Sequence, residues 1–162
     1  MRPLPPRFLA GMIALAPLPG SPRYGGDDAE IRARALSDLS SYVEAGLDVV
    51  VLENSHDVPY VRPPFEPSAL GLVKELAADV RAGFDGPVGI QLLEAANLEA
   101  LEVAAECGLD FVRVEGFVPL RPGFLRAGVQ SVLAGKQHHA LQEHADVGPL
   151  RRTHGSVDID EE

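Results

Sequence analysis

The sequence has a single cysteine, fewer basic than acidic residues, and no apolar run long enough to cross a membrane. Each shortage excludes something. A lone Cys107 permits no intramolecular disulfide, which fits a reducing compartment. With 14 Lys and Arg against 24 Asp and Glu, the formal net charge is −10. Such a surface disfavours nucleic-acid phosphates and more often simply maintains solubility. A transmembrane helix, which needs about 20 apolar residues, has no candidate segment. The last shortage is local: after Val118 there is no buried-strand run and no further strand–helix alternation.

What is present is organised around Leu47 to Tyr60, LDVVVLENSHDVPY. The apolar run Val49 to Leu52 reads as a strand buried on both faces, as a parallel sheet covered by helices requires. It stops at Glu53, Asn54, His56 and Asp57, and in parallel α/β folds chemistry gathers where strands end. At 162 residues the chain suffices for one domain with a core. Leu9 to Leu15 is expected as a first strand closed by Pro17 to Gly20. The competing reading is a secretory signal, since Arg2 and Arg7 precede FLAGMIALA and Ala14-Leu15-Ala16 mimics a cleavage site. The strand reading is preferred because a repeating pattern follows. It carries a cytoplasmic location, with an organellar or secreted one if residues 1–16 act as a targeting segment.

Asp27 and Glu30 resemble a capping box opening a helix with Ile31, Ala35, Leu39 and Val43 on one face and Gly46 at its end. A second strand, Asp48 to Glu53, leads into a long proline-rich loop, Ser55 to Pro67, of the kind that forms lids or binding loops. Ser68 is expected to cap a helix with Leu70, Val73, Ala77 and Val80 inward. Strand three, Val88 to Leu93, holds Gln91 within an apolar run. Asn97 is expected to cap a helix with Leu98, Leu101 and Ala105 inward, before strand four, Phe111 to Gly116. Alternation of this kind predicts parallel βαβ units and about four strands, half of a (β/α)8 barrel. Residues 1–118 form this unit, and residues 119–162 an irregular tail with a weak helix over Val129 to Ala145.

Four groups of residues invite functional readings. Glu53, Asn54, His56 and Asp57 offer a base, an orienting amide and a proton-transfer pair, and the competing reading is that His56 and Asp57 tie down the loop. The rim reading is favoured because Glu53 ends a buried strand. Arg113 and Glu115 alternate with Val112 and Val114 and share a face, where they form either a site with Glu53 or Gln91 or a structural ion-pair layer; both stay open. PLPGSPRYGG, Pro17 to Gly26, could surround an anion with backbone N–H groups and Arg23, but it matches no phosphate fingerprint and reads as a plain loop. His138, His139, His144 and His154 with Asp146 and Asp158 have no metal-ligand spacing and read as a solvated tail. No metal ligands are assigned, and the residues do not identify a cofactor.

Four stretches together resemble the BtpA/SgcQ family of barrels, similar to the ribulose-phosphate-binding group. They are GMIALAPLPGSPRYGGD at Gly11 to Asp27, AGLDVVVLENSHDVPYV at Ala45 to Val61, PVGIQLLEAANLEAL at Pro87 to Leu101, and GLDFVRVEGFV at Gly108 to Val118. The resemblance covers Phe8 to Val118, and LENSHDVPY is its most specific element. Ala14 stands where the family usually has a histidine, and the second half of the family's barrel is not recognisable after Val118, so the chain resembles a truncated member. The resemblance implies a barrel for a small polar or phosphorylated metabolite, of phosphosugar or nucleoside type. Glu53, His56, Asp57 and Glu115 would be catalytic, and Asn54, Gln91 and Arg113 would bind substrate. Alternatively it implies an assembly or stability factor with a protein partner, as in photosystem I biogenesis. Open barrel edges would further favour self-association, and the chain on its own is expected to be inactive.

Overall fold

The structure is a computed structural model that describes residues 1–114 and the backbone of 131–134. The chain runs β1 (Ala10–Ala14), α1 (Asp28–Glu44), β2 (Val49–Glu53), α2 (Pro67–Gly83), β3 (Val88–Gln91), α3 (Asn97–Glu106), β4 (Phe111–Val114) and β5 (Ser131–Ala134). The first four strands lie side by side in sequence order and all parallel, as the strand–helix alternation predicts. β5 then pairs antiparallel with β4, so part of the stretch expected as a weak helix is strand.

When every strand neighbours its successor and every crossover has the same hand, all helices fall on one side of the sheet. The two faces differ accordingly. Ile13, Leu15, Val50, Leu52, Val88, Ile90, Leu92, Val112 and Val114 pack with the buried helix residues into one core. The alternate positions Val49, Val51 and Phe111 form a separate small cluster with Met12 and Leu4. β2 is buried on both sides as expected, and among the described residues only one cover is helical.

The helices keep the expected places with shifted details. Asp27 caps α1, its carboxylate accepting from Glu30 N–H at 2.9 Å. Val43 is exposed, because Tyr42 takes the inward place with its ring against Gly11. Ser68 does not cap α2: Pro67, whose fixed φ and missing N–H suit a first helical position, starts the helix earlier behind Glu66. Asn97 is the first residue of α3 rather than its cap, and the buried stripe is Ala100, Leu101, Val103 and Ala104. Leu98 is exposed because it shares the outer face of α3 with Glu102 and Ala105, while Ala96 and Ala100 on either side of it are buried.

One device appears twice. Gly46 and Gly108 adopt left-handed φ values of 68° and 65°, which lets the chain turn back after α1 and α3. Leu47 N–H then returns to Tyr42 C=O, and Leu109 N–H to Ala104 C=O. The next residue is an aspartate in both cases. Asp48 accepts from Leu9 N–H at 2.9 Å, and Asp110 accepts from Val88 N–H at 3.0 Å. Asp110 is buried and also pairs with Arg81 at 2.8 Å, while Arg2 N–H and the Met1 amino group approach its other oxygen. These aspartates pin neighbouring strands at the amino end of the sheet, opposite the candidate site.

Candidate functional site

Register decides which polar side chains meet. Ala14, Glu53 and Gln91 are partners across β1, β2 and β3, and the pairing of Ile90 with Val112 continues the row to Arg113. Side chains alternate along a strand, so this row shares a face with Met12, Val51, Gly89 and Phe111, the face without helices. It also lies at the carboxyl ends of the strands. Arg113 Nη1 stands 3.6 Å from Glu53 Oε2 and 3.8 Å from Met12 Sδ. Neighbouring strands are about 4.8 Å apart, so a pair linking β2 to β4 passes over Gln91 on β3. Gln91 is 4% exposed, and its Oε1 has no hydrogen-bond partner among the described residues. Beneath the row, the Phe111 ring lies over Gly89, where an added Cβ would stand 2.3 Å from Cε2. Glycine there makes room for the apolar floor.

Asn54 and Asp57 do different work. Both are buried. Asn54 Oδ1 accepts from Leu93 N–H at 2.8 Å, and its amide donates to Asp57 Oδ2 at 3.2 Å. Asp57 Oδ1 accepts from Leu18 N–H at 2.7 Å. The loops after β1, β2 and β3 are thereby held together by two side chains whose bonding capacity goes largely into that bracket. His56 joins neither group. It lines a separate hollow of about 260 Å³ with Ala14, Ala16 and the α1 residues Arg34, Ser37 and Asp38.

Of the seven residues singled out in the sequence, Glu53, Gln91 and Arg113 converge, Asn54 and Asp57 brace the rim, and His56 stands apart. Glu115 lies outside the described residues, as do the tail histidines with Asp146 and Asp158. No group of three His, Cys, Asp or Glu placed to hold a metal occurs among the described residues. Met12 and Phe111 were missed as site neighbours, although period-two alternation from Ala14 and Arg113 points to both. A hollow of about 710 Å³ lies on the outer surface between α1 and α2, away from this row.

A parallel sheet with helices on one face and a polar row at its strand ends defines a protein of the (β/α) class. The chain belongs to the BtpA family, whose sequence model matches residues 6–151 and so extends beyond Val118 into the tail. An uncharacterised mitochondrial protein of Caenorhabditis elegans is 41% identical over 113 residues, 67% of this chain and 41% of the relative. An uncharacterised protein of Pyrococcus abyssi is 38% identical over 65% of this chain and 40% of its own length. Photosystem I biogenesis protein BtpA of Synechocystis sp. is 26% identical over 82% of this chain and 44% of its own. The chain spans about two fifths of the length of these curated relatives. No solved structure matches. Among the described residues, no helix is long and apolar enough to cross a membrane.

Proposed function

We propose that this chain contributes one wall of a (β/α)8-type site for a small polar or phosphorylated metabolite, of phosphosugar or nucleoside type. The observation that carries the reading is the Glu53–Gln91–Arg113 row: convergent polar groups on the helix-free face, at the strand ends, above an apolar floor. Glu53 or Glu115 is the candidate base and Arg113 the orienting cation. Asn54 and Asp57 act as positioning residues. His56 would act only on a part of the ligand reaching the hollow beside α1.

The test is titration of the isotope-labelled chain with ribose 5-phosphate and with a nucleoside monophosphate, followed by NMR. Amide shifts centred on residues 53, 91 and 113, weakened in Glu53→Gln, are expected. Shifts scattered over the surface, or unchanged in Glu53→Gln, would remove the site.

A second reading follows from the Synechocystis relative, whose name places it in photosystem I biogenesis. Here the chain acts as an assembly factor that binds protein through the same helix-free face. A pull-down that recovers a partner, with no metabolite response, would favour it.

A further inference from the structure

Gln91 reaches beyond that reading. It sits in a strand otherwise made of Val88, Gly89 and Ile90, and its buried Oε1 has no donor among the described residues. A buried carbonyl without a donor is costly, whereas a methionine would fill similar space without that cost. Sites that sacrifice stability in this way are commonly reserved for a ligand. The groups above it are also unspent. At 3.6 Å the Glu53–Arg113 contact is an ion pair too long for a hydrogen bond. Among the described residues the Glu53 carboxylate accepts no hydrogen bond, and the Arg113 guanidinium donates only to Met12 sulfur. Both side chains are partly exposed, so the pair can part at little cost.

Resting on the row being a metabolite site, we propose that it recognises vicinal hydroxyl groups of a sugar, with any phosphate held elsewhere. Glu53 and Arg113 cancel in charge, so the row presents no net positive field to a phosphate. It presents two kinds of acceptor and one donor. A hydroxyl is donor and acceptor at once. One hydroxyl entering between Glu53 and Arg113 donates to Gln91 Oε1 while accepting from the guanidinium, and its neighbour donates to Glu53. Met12, partly exposed beside the row, offers an apolar contact for the C–H face of the sugar.

The experiment compares D-ribose, ribose 5-phosphate and inorganic phosphate by NMR, on the wild-type chain and on Gln91→Met. Ribose is expected to shift the amides of Gly89, Gln91 and Arg113, and inorganic phosphate to leave them unmoved. In Gln91→Met the midpoint of thermal unfolding should rise, while ribose affinity falls about tenfold, the size of one lost hydrogen bond. Inorganic phosphate shifting the same amides would overturn the hydroxyl assignment and leave the metabolite site standing. Equal ribose affinity in a folded Gln91→Met chain would do the same. If Gln91→Met fails to fold, Gln91→Glu, which keeps an acceptor there, must retain ribose binding for the assignment to hold. A row indifferent to all three probes would overturn both readings.

Discussion

Asn54 and Asp57 show how much a few side chains can decide. Between them they hold the backbone N–H groups of Leu18 and Leu93, joining the rims of three strands. Replacing either with alanine strands a buried N–H group and is expected to cost about 1–3 kcal/mol in urea unfolding. The double variant should lose less than the sum, because the two side chains bond each other. Full additivity would mean that each acts alone. Cys107 is a simpler case. Its thiol donates to Lys74 C=O at 3.3 Å, and burial, with Glu106 beside it, pushes its pKa up. Little thiolate forms near neutral pH, so a thiol reagent should react far more slowly with the folded chain than with the urea-unfolded one. Equal rates would contradict that environment. At this scale the sequence announced the polar identities of the rim but not their division of labour. LENSHD places carboxylate, amide and imidazole together in the chain, yet the backbone partners of Asn54 and Asp57 lie 39 residues away.

At the scale of elements, the edges of the sheet carry the clearest consequence. The outer edge of β4 is taken by β5. In β1 the odd-numbered residues face β2, as Leu9 C=O accepting from Val49 N–H and Leu15 N–H donating to Glu53 C=O show. Met12 C=O therefore points to the free edge, where Tyr42 Oη donates to it at 2.8 Å. A side chain that occupies an edge group discourages strand addition. Tyr42→Phe should cost about 1 kcal/mol and increase self-association on size-exclusion chromatography; an unchanged profile with unchanged stability would contradict this role. Burial, and then the charge of Asp38, raise the Tyr42 pKa above the ordinary tyrosine value. With the folded value above the unfolded one, the contribution is fully present below the unfolded pKa and is lost as pH rises through the folded one. The alkaline limb of the stability profile should therefore be shallower in Tyr42→Phe.

The elements themselves were largely legible. The apolar run ending at Glu53 marks a strand end and the glycines at 46 and 108 mark helix ends, whereas strand three stops at Gln91, two residues short of the expected Leu93. Helix phase was less legible. The start of α2 depends on Pro67, which a periodic pattern does not weigh, and in α3 the buried stripe is set one step off the expected one. β5 was not legible at all, because Ser131–Ala134 lacks the apolar alternation of a strand and owes its pairing to the free edge of β4.

For the whole molecule, sequential parallel pairing places every helix on one side and leaves the opposite face to Met12, Val49, Val51 and Phe111, with the polar row above them. That geometry is why residues distant in sequence meet at the strand ends. The central claim is that Glu53 on β2 and Arg113 on β4 meet across Gln91. A double-mutant cycle with Glu53→Gln and Arg113→Met, read by urea unfolding of the chain, tests it most directly. The expected result is a favourable coupling of about 0.5 kcal/mol or more that weakens with salt, as for a partly buried ion pair. Additive effects, insensitive to salt, would place the two residues apart and contradict that claim.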